Sequence, residues 1–554
     1  MGRTANSLRA RQKRRLKLTA AMILLLFSAL LCRLYYLQIL CHTSLEEAAV
    51  SQYEVAVEGL DTRGMIFDRN LMPMTGGTSQ YTYILENSRM DAGAQKLLSS
   101  VSARKISVSL RREGRYAAYR TQIFDRTVNR RLQEDYHAYI LCTAARYSDS
   151  QIACHLVGYL NEAEKKGVSG LEKACETTLA AQEKTMVLWA DSSGGLLTGI
   201  APKTEGSSES GLREEDGNVV TTLDSGLQRA CETALSRRNA SGAVLVSDVE
   251  SGQILAWASS PVFNPNTVAD YLEEEGDCLV DKCIQGMYAP GSVFKIVVAA
   301  AALESGIIDP QQRYECSGEE VTGGIPIHCS LGPEGGHGAV NLEEAVAVSC
   351  NCYFAALGER LGSGRILDMA ERLGLGSLVF SRFTEELPGS IPDAESLGQW
   401  DISNLSVGQG TLQVTPAQIH RMISIVAGGG RQSRLTVIMP DGGENGYSGT
   451  YDAKQILPAD TAAALEEMLS AVMTEGTGRN SRRTVQAWGK TGTAETVRDG
   501  EETCDCWFSG WCDAGGGRLA VTVLIEDGIS GSASALPVYD EIAEYVQARQ
   551  LEVE

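Results

Sequence analysis

The chain has 554 residues, 43% of them apolar and 21% charged, which excludes both a disordered chain and a single small domain. Its formal charge is −21. From residue 34 onward 41 basic residues stand against 70 acidic ones, which excludes a nucleic-acid-binding body.

No acidic residue precedes Glu46, and Arg3, Arg9, Arg11, Lys13, Arg14, Arg15 and Lys17 crowd residues 1–17. The run Leu18–Leu40 follows, apolar except for Arg33, Gln38 and a few small or aromatic polar groups. As a helix it reaches ~35 Å, enough to cross a bilayer core of ~30 Å. The basic tail predicts a cytoplasmic N-terminus, with Tyr35 and Tyr36 at the far interface and Arg33 close enough to snorkel. A cleaved signal peptide is the competing reading, but no small-x-small site closes the run. Residues 1–17 thus read as a cytoplasmic tail and 18–40 as a single membrane crossing, with the rest outside the cytoplasm.

Residues 41–215 read as a non-catalytic module of short strands (Tyr81–Leu85, Ile106–Leu110) and helix-like stretches. Thr204–Gly217, rich in Gly, Ser and Glu, reads as a linker or surface loop. Residues 216–554 then form a second region. Ala243–Asp248 and Gln253–Ala258 flank a Gly-containing turn and predict a β-hairpin. Ser292–Leu303 predicts a helix that is apolar all round, and therefore buried. Thr415-Pro416-Ala417-Gln418 is a helix start with a cap, a first-turn proline and a capping-box partner. Ala459–Met473 is a helix, Trp507–Trp511 and Leu519–Glu526 are strands, and Val538–Arg549 is a closing helix. The order predicts an α+β domain with a sheet flanked by helices.

Fifteen cysteines are many for an exported chain. The thiols read as reduced and structural, with pairing of Cys316 and Cys329, which are spaced to bracket a hairpin, as the alternative. No C-x-x-C repeat is present, so no metal and no cofactor are expected. His337 beside Gly338 reads as a loop or packing residue, and none of the six histidines as catalytic.

Three motifs occur in order: Ser292-Val293-Phe294-Lys295, Ser349-Cys350-Asn351 and Lys490-Thr491-Gly492-Thr493. Ser292 follows Pro290-Gly291 at the start of the apolar helix, where free N–H groups and the dipole favour a developing alkoxide. Lys295 lies one turn on, within reach of that oxygen, and a buried lysine loses its proton readily enough to act as base. Ser349 is placed to relay a proton to the leaving amine, and Asn351 to bind a substrate amide. Lys490, Thr491 and Thr493 are expected on an edge strand that an extended peptide can join, Gly492 allowing close approach of the helix. The N–H groups of Ser292 and Thr493 are expected to form an oxyanion hole, and Lys490 with the threonine hydroxyls to hold a carboxylate.

These motifs form the signature of penicillin-binding proteins. The flanking stretches Thr222-Leu223-Asp224, Phe263-Asn264-Pro265-Asn266, Ser406-Val407-Gly408-Gln409-Gly410 and Gly489-Lys490-Thr491-Gly492-Thr493-Ala494-Glu495 resemble the class B, monofunctional kind. Upstream, Arg63-Gly64-Met65-Ile66-Phe67-Asp68-Arg69-Asn70 and Gly170-Leu171-Glu172 are similar to motifs of that family's N-terminal pedestal. The resemblance implies a five-stranded antiparallel sheet between helices. It implies a peptidoglycan D,D-transpeptidase that forms an acyl-serine from a D-Ala-D-Ala stem peptide and is acylated by penicillin. A carboxypeptidase, or a β-lactam-hydrolysing or sensing protein on the same scaffold, is the alternative. The implied partners are stem peptides of lipid II-derived glycan, β-lactams, the membrane and a multi-pass glycan polymerase, since no polymerase-like module precedes the transpeptidase region. One departure is Asp281-Lys282, where the family often has Asn-Arg. It puts a local support contact in doubt.

Overall fold

The computed structural model describes residues 2–41, 54–58, 63–106, 109–110, 114–161, 164–180, 185–191, 196–197, 203–205, 217–272, 276–332, 335–439, 453–482, 485–498 and 500–553. Helix α1 (Gly2–Tyr35) continues through one wider turn to Leu40. Within it, Lys13–Leu40 is 28 residues long with no buried residue in its apolar window, long and apolar enough to cross a bilayer. The expected span Leu18–Leu40 lies inside it.

The chain divides into two compact units. The smaller comprises residues 1–62, 79–143 and 183–207. Its central strand, Thr78–Glu86, pairs with Tyr116–Thr121 and Tyr139–Ala145 in a four-stranded sheet. Alternation along that strand decides the packing: Tyr83 and Leu85 meet Leu98 and Val128 of two helices, while Ile84 meets Leu141 and Leu188. The expected strand Ile106–Leu110 appears as Arg104–Ile106 and Ser109–Leu110, with 107–108 outside the described residues. Thr204 and Glu205, expected in a linker, instead lie in a strand, Lys203–Glu205, paired to Thr185–Val187. The apolar run Met186-Val187-Leu188 offers a hydrogen-bonding edge there that the composition of residues 204–217 does not reveal. The remainder of that expected linker, 206–216, lies outside the described residues.

The larger unit takes in Arg63–Thr78 and Ala144–Gln182 as well as Ser208–Glu554. Its centre is a five-stranded antiparallel sheet of β1 (Gly242–Asp248), β2 (Ile254–Ser260), β3 (Ala487–Arg498), β4 (Glu501–Asp513) and β5 (Arg518–Ile525). The order is β2-β1-β5-β4-β3, which leaves β3 at an edge, as expected. Both faces of its inner part are buried, and β1, β2 and β5 are largely apolar along their length. Val244, Val246, Val521 and Val523 face α2 (Ser225–Ser236) and α7 (Leu536–Val553). Ala243, Leu245, Ala520 and Leu524 face α3 (Lys295–Ser305), α5 (Pro416–Ala427) and α6 (Ala459–Thr474). Helix α5 is tied to this face by His420, bonded to Thr522 at 3.1 Å and Ser247 at 2.8 Å. Burial lowers the His420 pKa to about 3, so the ring is neutral there. The predicted helix Ser292–Leu303 is a tight turn, Gly291–Phe294, followed by α3 from Lys295.

The upstream motifs meet in this unit. Ile66 and Phe67 pair in parallel with Val219 and Val220. Fully buried Glu172 accepts from Arg63 Nε at 2.7 Å, Arg146 Nε at 2.6 Å and Tyr147 OH at 2.9 Å. Removing one member of such a network leaves the rest charged and uncompensated. Glu172→Ala is expected to cost about 3–5 kcal/mol of stability, read as a shifted urea midpoint of the full chain in detergent. Glu176→Ala, whose carboxylate is 32% exposed, should cost no more than about 1 kcal/mol. Equal midpoints for the two variants would refute the assignment.

Candidate active site

The turn that carries Ser292 is held from several sides by backbone. Tyr288 exchanges two 2.9 Å hydrogen bonds with Val414, and Gly291 N donates to Gly408 O at 2.9 Å. Gly291 has φ 52°, and a Cβ there would lie 2.7 Å from Thr493 O, so only glycine fits between strand and turn. Trp507 Nε1 donates to Ala289 O at 3.0 Å. Tyr288 OH donates to Glu526 at 2.7 Å, and Lys282 Nζ lies 3.2 Å from the other Glu526 oxygen while also pairing with Asp277. Asp281 accepts from Trp257 Nε1 at 2.9 Å and 3.1 Å, and burial pushes its carboxyl up to about 7. The Asp281-Lys282 departure therefore still makes a support contact beneath the turn. Within residues 290–302 only Ser292 keeps solvent access.

Lys295, the first residue of α3, is fully buried. Its Nζ donates to Ser349 O at 2.9 Å, Ser349 Oγ at 3.1 Å and Asn351 Oδ1 at 2.7 Å. It also lies 5.5 Å from the Phe354 ring centroid. Its hydrogen bonds thus go to the second motif rather than to the Ser292 hydroxyl that sequence spacing suggests. Ser349 has φ 59°, a left-handed turn that ends one helix, Leu342–Ala347, and turns its side chain toward Lys295. Cys350 then caps α4 (Asn351–Leu361), its Sγ accepting from Tyr353 N at 3.5 Å. Asn351 Nδ2 donates to His328 O at 3.0 Å.

Edge strand β3 lines the other side. Lys490 is fully buried, its Nζ donating to Thr491 O at 3.1 Å. Thr491 Oγ1 lies 2.6 Å from Thr477 Oγ1, and Thr493 Oγ1 accepts from Gly531 N at 3.1 Å. A Cβ on Gly492 would sit 2.9 Å from Val293 Cγ2 and 3.1 Å from Trp507 Cβ, so glycine is what lets strand and turn touch. Among the described residues no carboxylate lies within 4.0 Å of either lysine. Burial lowers Lys295 to about 8, and holds Lys490 well below the usual lysine value, with the Lys295 charge as a second cause.

The three motifs therefore converge. Lys295, Ser349 and Asn351 bond directly, Lys490 senses the charge of Lys295, and Thr493 abuts Gly291. Sequence reading did not single out Thr477 or Glu526, and it met Lys282 only as a departure from the family pattern. Gly408 did carry a signal, since it lies in a stretch that resembles the family.

Residues 242–544 match the family model described as the penicillin binding protein transpeptidase domain. The peptidoglycan D,D-transpeptidase PbpA of Mycobacterium tuberculosis is 30% identical over 352 residues, covering 58% of this chain and 71% of that protein. Among solved structures, one from work on structural coordination of polymerization and crosslinking by a peptidoglycan synthase complex superposes with a TM-score of 0.70. It is 24% identical and covers 96% of this chain and 98% of its own. Penicillin-binding protein PBP2 of Helicobacter pylori, solved in complex with MreC, has a TM-score of 0.67 at 19% identity, covering 90% and 98%. At these identities the two structures show a shared fold. With the family model spanning more than half of its residues, this chain belongs to the penicillin-binding proteins of class B.

Proposed function

We propose that peptidoglycan cross-linking by this D,D-transpeptidase runs through Ser292 as nucleophile and Lys295 as base. The hydrogen-bonded set of Lys295, Ser349 and Asn351 beside an open Ser292 carries this reading. A lysine buried without a carboxylate, and lowered to about 8, is partly neutral near neutral pH. In that form it takes the Ser292 proton as Oγ attacks the carbonyl carbon of the penultimate D-Ala. The N–H groups of Ser292 and Thr493 receive the oxyanion, as a preorganised pair costs no reorganisation when charge develops. Collapse breaks the C–N bond, and the proton returns through Ser349 to the departing D-Ala amine. An amine of a neighbouring stem peptide then attacks the acyl-serine and regenerates the hydroxyl. Asn351 orients the substrate amide. The extended peptide pairs with β3, and Lys490, Thr491 and Thr493 meet its terminal carboxylate, with Gly492 keeping the strand close.

The positive tail and apolar helix support a chain anchored once, with its N-terminus cytoplasmic and its catalytic unit outside. The solved relatives, a peptidoglycan synthase complex and a PBP2–MreC complex, support cell-wall partners, among them a multi-pass glycan polymerase.

Two measurements test the site. Full-length chain incubated with benzylpenicillin should carry one covalent adduct that peptide mapping places on Ser292, and Ser292→Ala should carry none. An adduct on Ser292→Ala would overturn the assignment. The rate of acylation should rise about tenfold per pH unit below the Lys295 value of about 8 and level off above it, because deprotonation creates the base. A rate that falls as pH rises through that range would exclude Lys295 as the base.

A further inference from the structure

We propose that Cys316, Cys329, His337 and Cys350 bind one zinc ion in a closed site that holds the Ser349–Asn351 turn in place. One ligand atom from each lies within 4.8 Å of the other three. A tetrahedral zinc with ~2.3 Å bonds to sulfur requires sulfur–sulfur edges of about 3.8 Å, and slightly less to nitrogen. Cys329 Sγ lies 3.8 Å from Cys350 Sγ. His337 Nδ1 lies 3.1 Å from Cys329 Sγ and 3.8 Å from Cys316 Sγ. The three thiols are 2%, 4% and 0% exposed and His337 is half-buried, so water does not compete freely for the centre. Three soft thiolates and an imidazole in a tetrahedron select zinc among common divalent ions. Four protein ligands leave no open position, which makes the ion structural rather than a Lewis acid for the reaction.

The local fold also calls for a staple. Residues 314–340 contain two small antiparallel ribbons, Tyr314–Cys316 with Gly338–Val340 and Glu319–Thr322 with Ile325–His328. Val321 and Ile325 of the second ribbon are 59% and 45% exposed, so that ribbon buries little of its own apolar surface. Two-stranded ribbons of this size are marginal in water, and a metal supplies what a core does not. The ligands come from both ribbons and from the cap of α4. Outer contacts suit ligation: Tyr353 N points at Cys350 Sγ at 3.5 Å, as toward a thiolate. Cys350 stands between Ser349 and Asn351, and Asn351 also grips the carbonyl of His328, one residue before Cys329. The metal thereby fixes the segment that meets Lys295. Ligand spacings of 13, 8 and 13 residues explain why no C-x-x-C signal marks the site.

The test is metal analysis of the full-length chain purified in detergent without chelator. About one zinc per chain is expected, with X-ray absorption at the zinc edge showing three sulfur neighbours and one nitrogen. His337→Ala, and the double variant Cys316→Ala with Cys329→Ala, should each bind zinc at least about tenfold more weakly. Wild-type chain without zinc after reconstitution would overturn the proposal. So would undiminished zinc affinity in both variants, or a Cys316–Cys329 disulfide in the native chain by peptide mapping. The positioning role rests on the transpeptidase reading: the same variants should slow benzylpenicillin acylation at least about tenfold. Zinc-loaded wild-type chain that never acylates would sink the Ser292 reading and leave the metal site standing.

Discussion

The structure around the site depends on keeping the Lys295 ammonium out of water. Burying an isolated cation is costly, and a lysine meets that cost either by pairing or by giving up its proton. Among the described residues no carboxylate is offered to Lys295. Three oxygens from Ser349 and Asn351 and the Phe354 ring surround Nζ instead. Oxygens of neutral groups stabilise an ammonium less than a carboxylate does, so the proton is held loosely. A carboxylate in their place would lock the charge on and remove the base. The all-round apolarity of α3 has the same origin, since the helix must be surrounded before its first residue can be dry.

Surrounding α3 brings several backbones closer than side chains allow. The Ser292 turn is wedged between β3 and the Gly408 loop, with Gly291 and Gly492 at the contact points. Here glycine acts by absence of a Cβ. The result is a fixed place for the N–H groups of Ser292 and Thr493, which backbone rigidity holds better than any side chain. The turn gains a further prop from Glu526, which joins Tyr288, Lys282 and Ser241 behind it. That prop works with Lys282 because a carboxylate needs a cation there rather than a particular fork of donors.

Much of the site is legible in the sequence. Ser292 and Lys295 stand out because a lysine in an apolar helix, one turn after Pro-Gly-Ser, adds nothing to packing and costs free energy to bury. Ser349, Asn351 and Lys490 stand out by falling in order behind them. The five-stranded antiparallel sheet followed from the resemblance, whereas periodicity gave only separate strands. Spacing did not give the partner of Lys295: a three-residue step puts Ser292 on the same face, yet the hydrogen bonds go to a turn some 54 residues away. The strand at Thr204–Glu205 was hidden because Ser, Gly and Glu around it mask a pairing decided by its neighbour. Nor does order along the chain reveal that Arg63–Thr78 and Ala144–Gln182 cluster with residues beyond 208, since long-range pairing such as Arg63 with Glu172 leaves no local pattern.

The second motif shows why local pattern and chemistry part company. Its outer residues, Ser349 and Asn351, face Lys295, so the middle one must point elsewhere by the geometry of the turn. In a chain whose neighbouring ribbons were well cored, a small apolar residue would serve there. Here the neighbouring ribbon of residues 319–328 buries little, and the middle residue is a thiol aimed at two more thiols and an imidazole. The Glu526 network and the thiol cluster thus act on different parts of one constellation, the first under the nucleophile and the second behind its partner. Each fixes by charge or ligation what loose ribbons and a strained left-handed serine could not hold by packing alone.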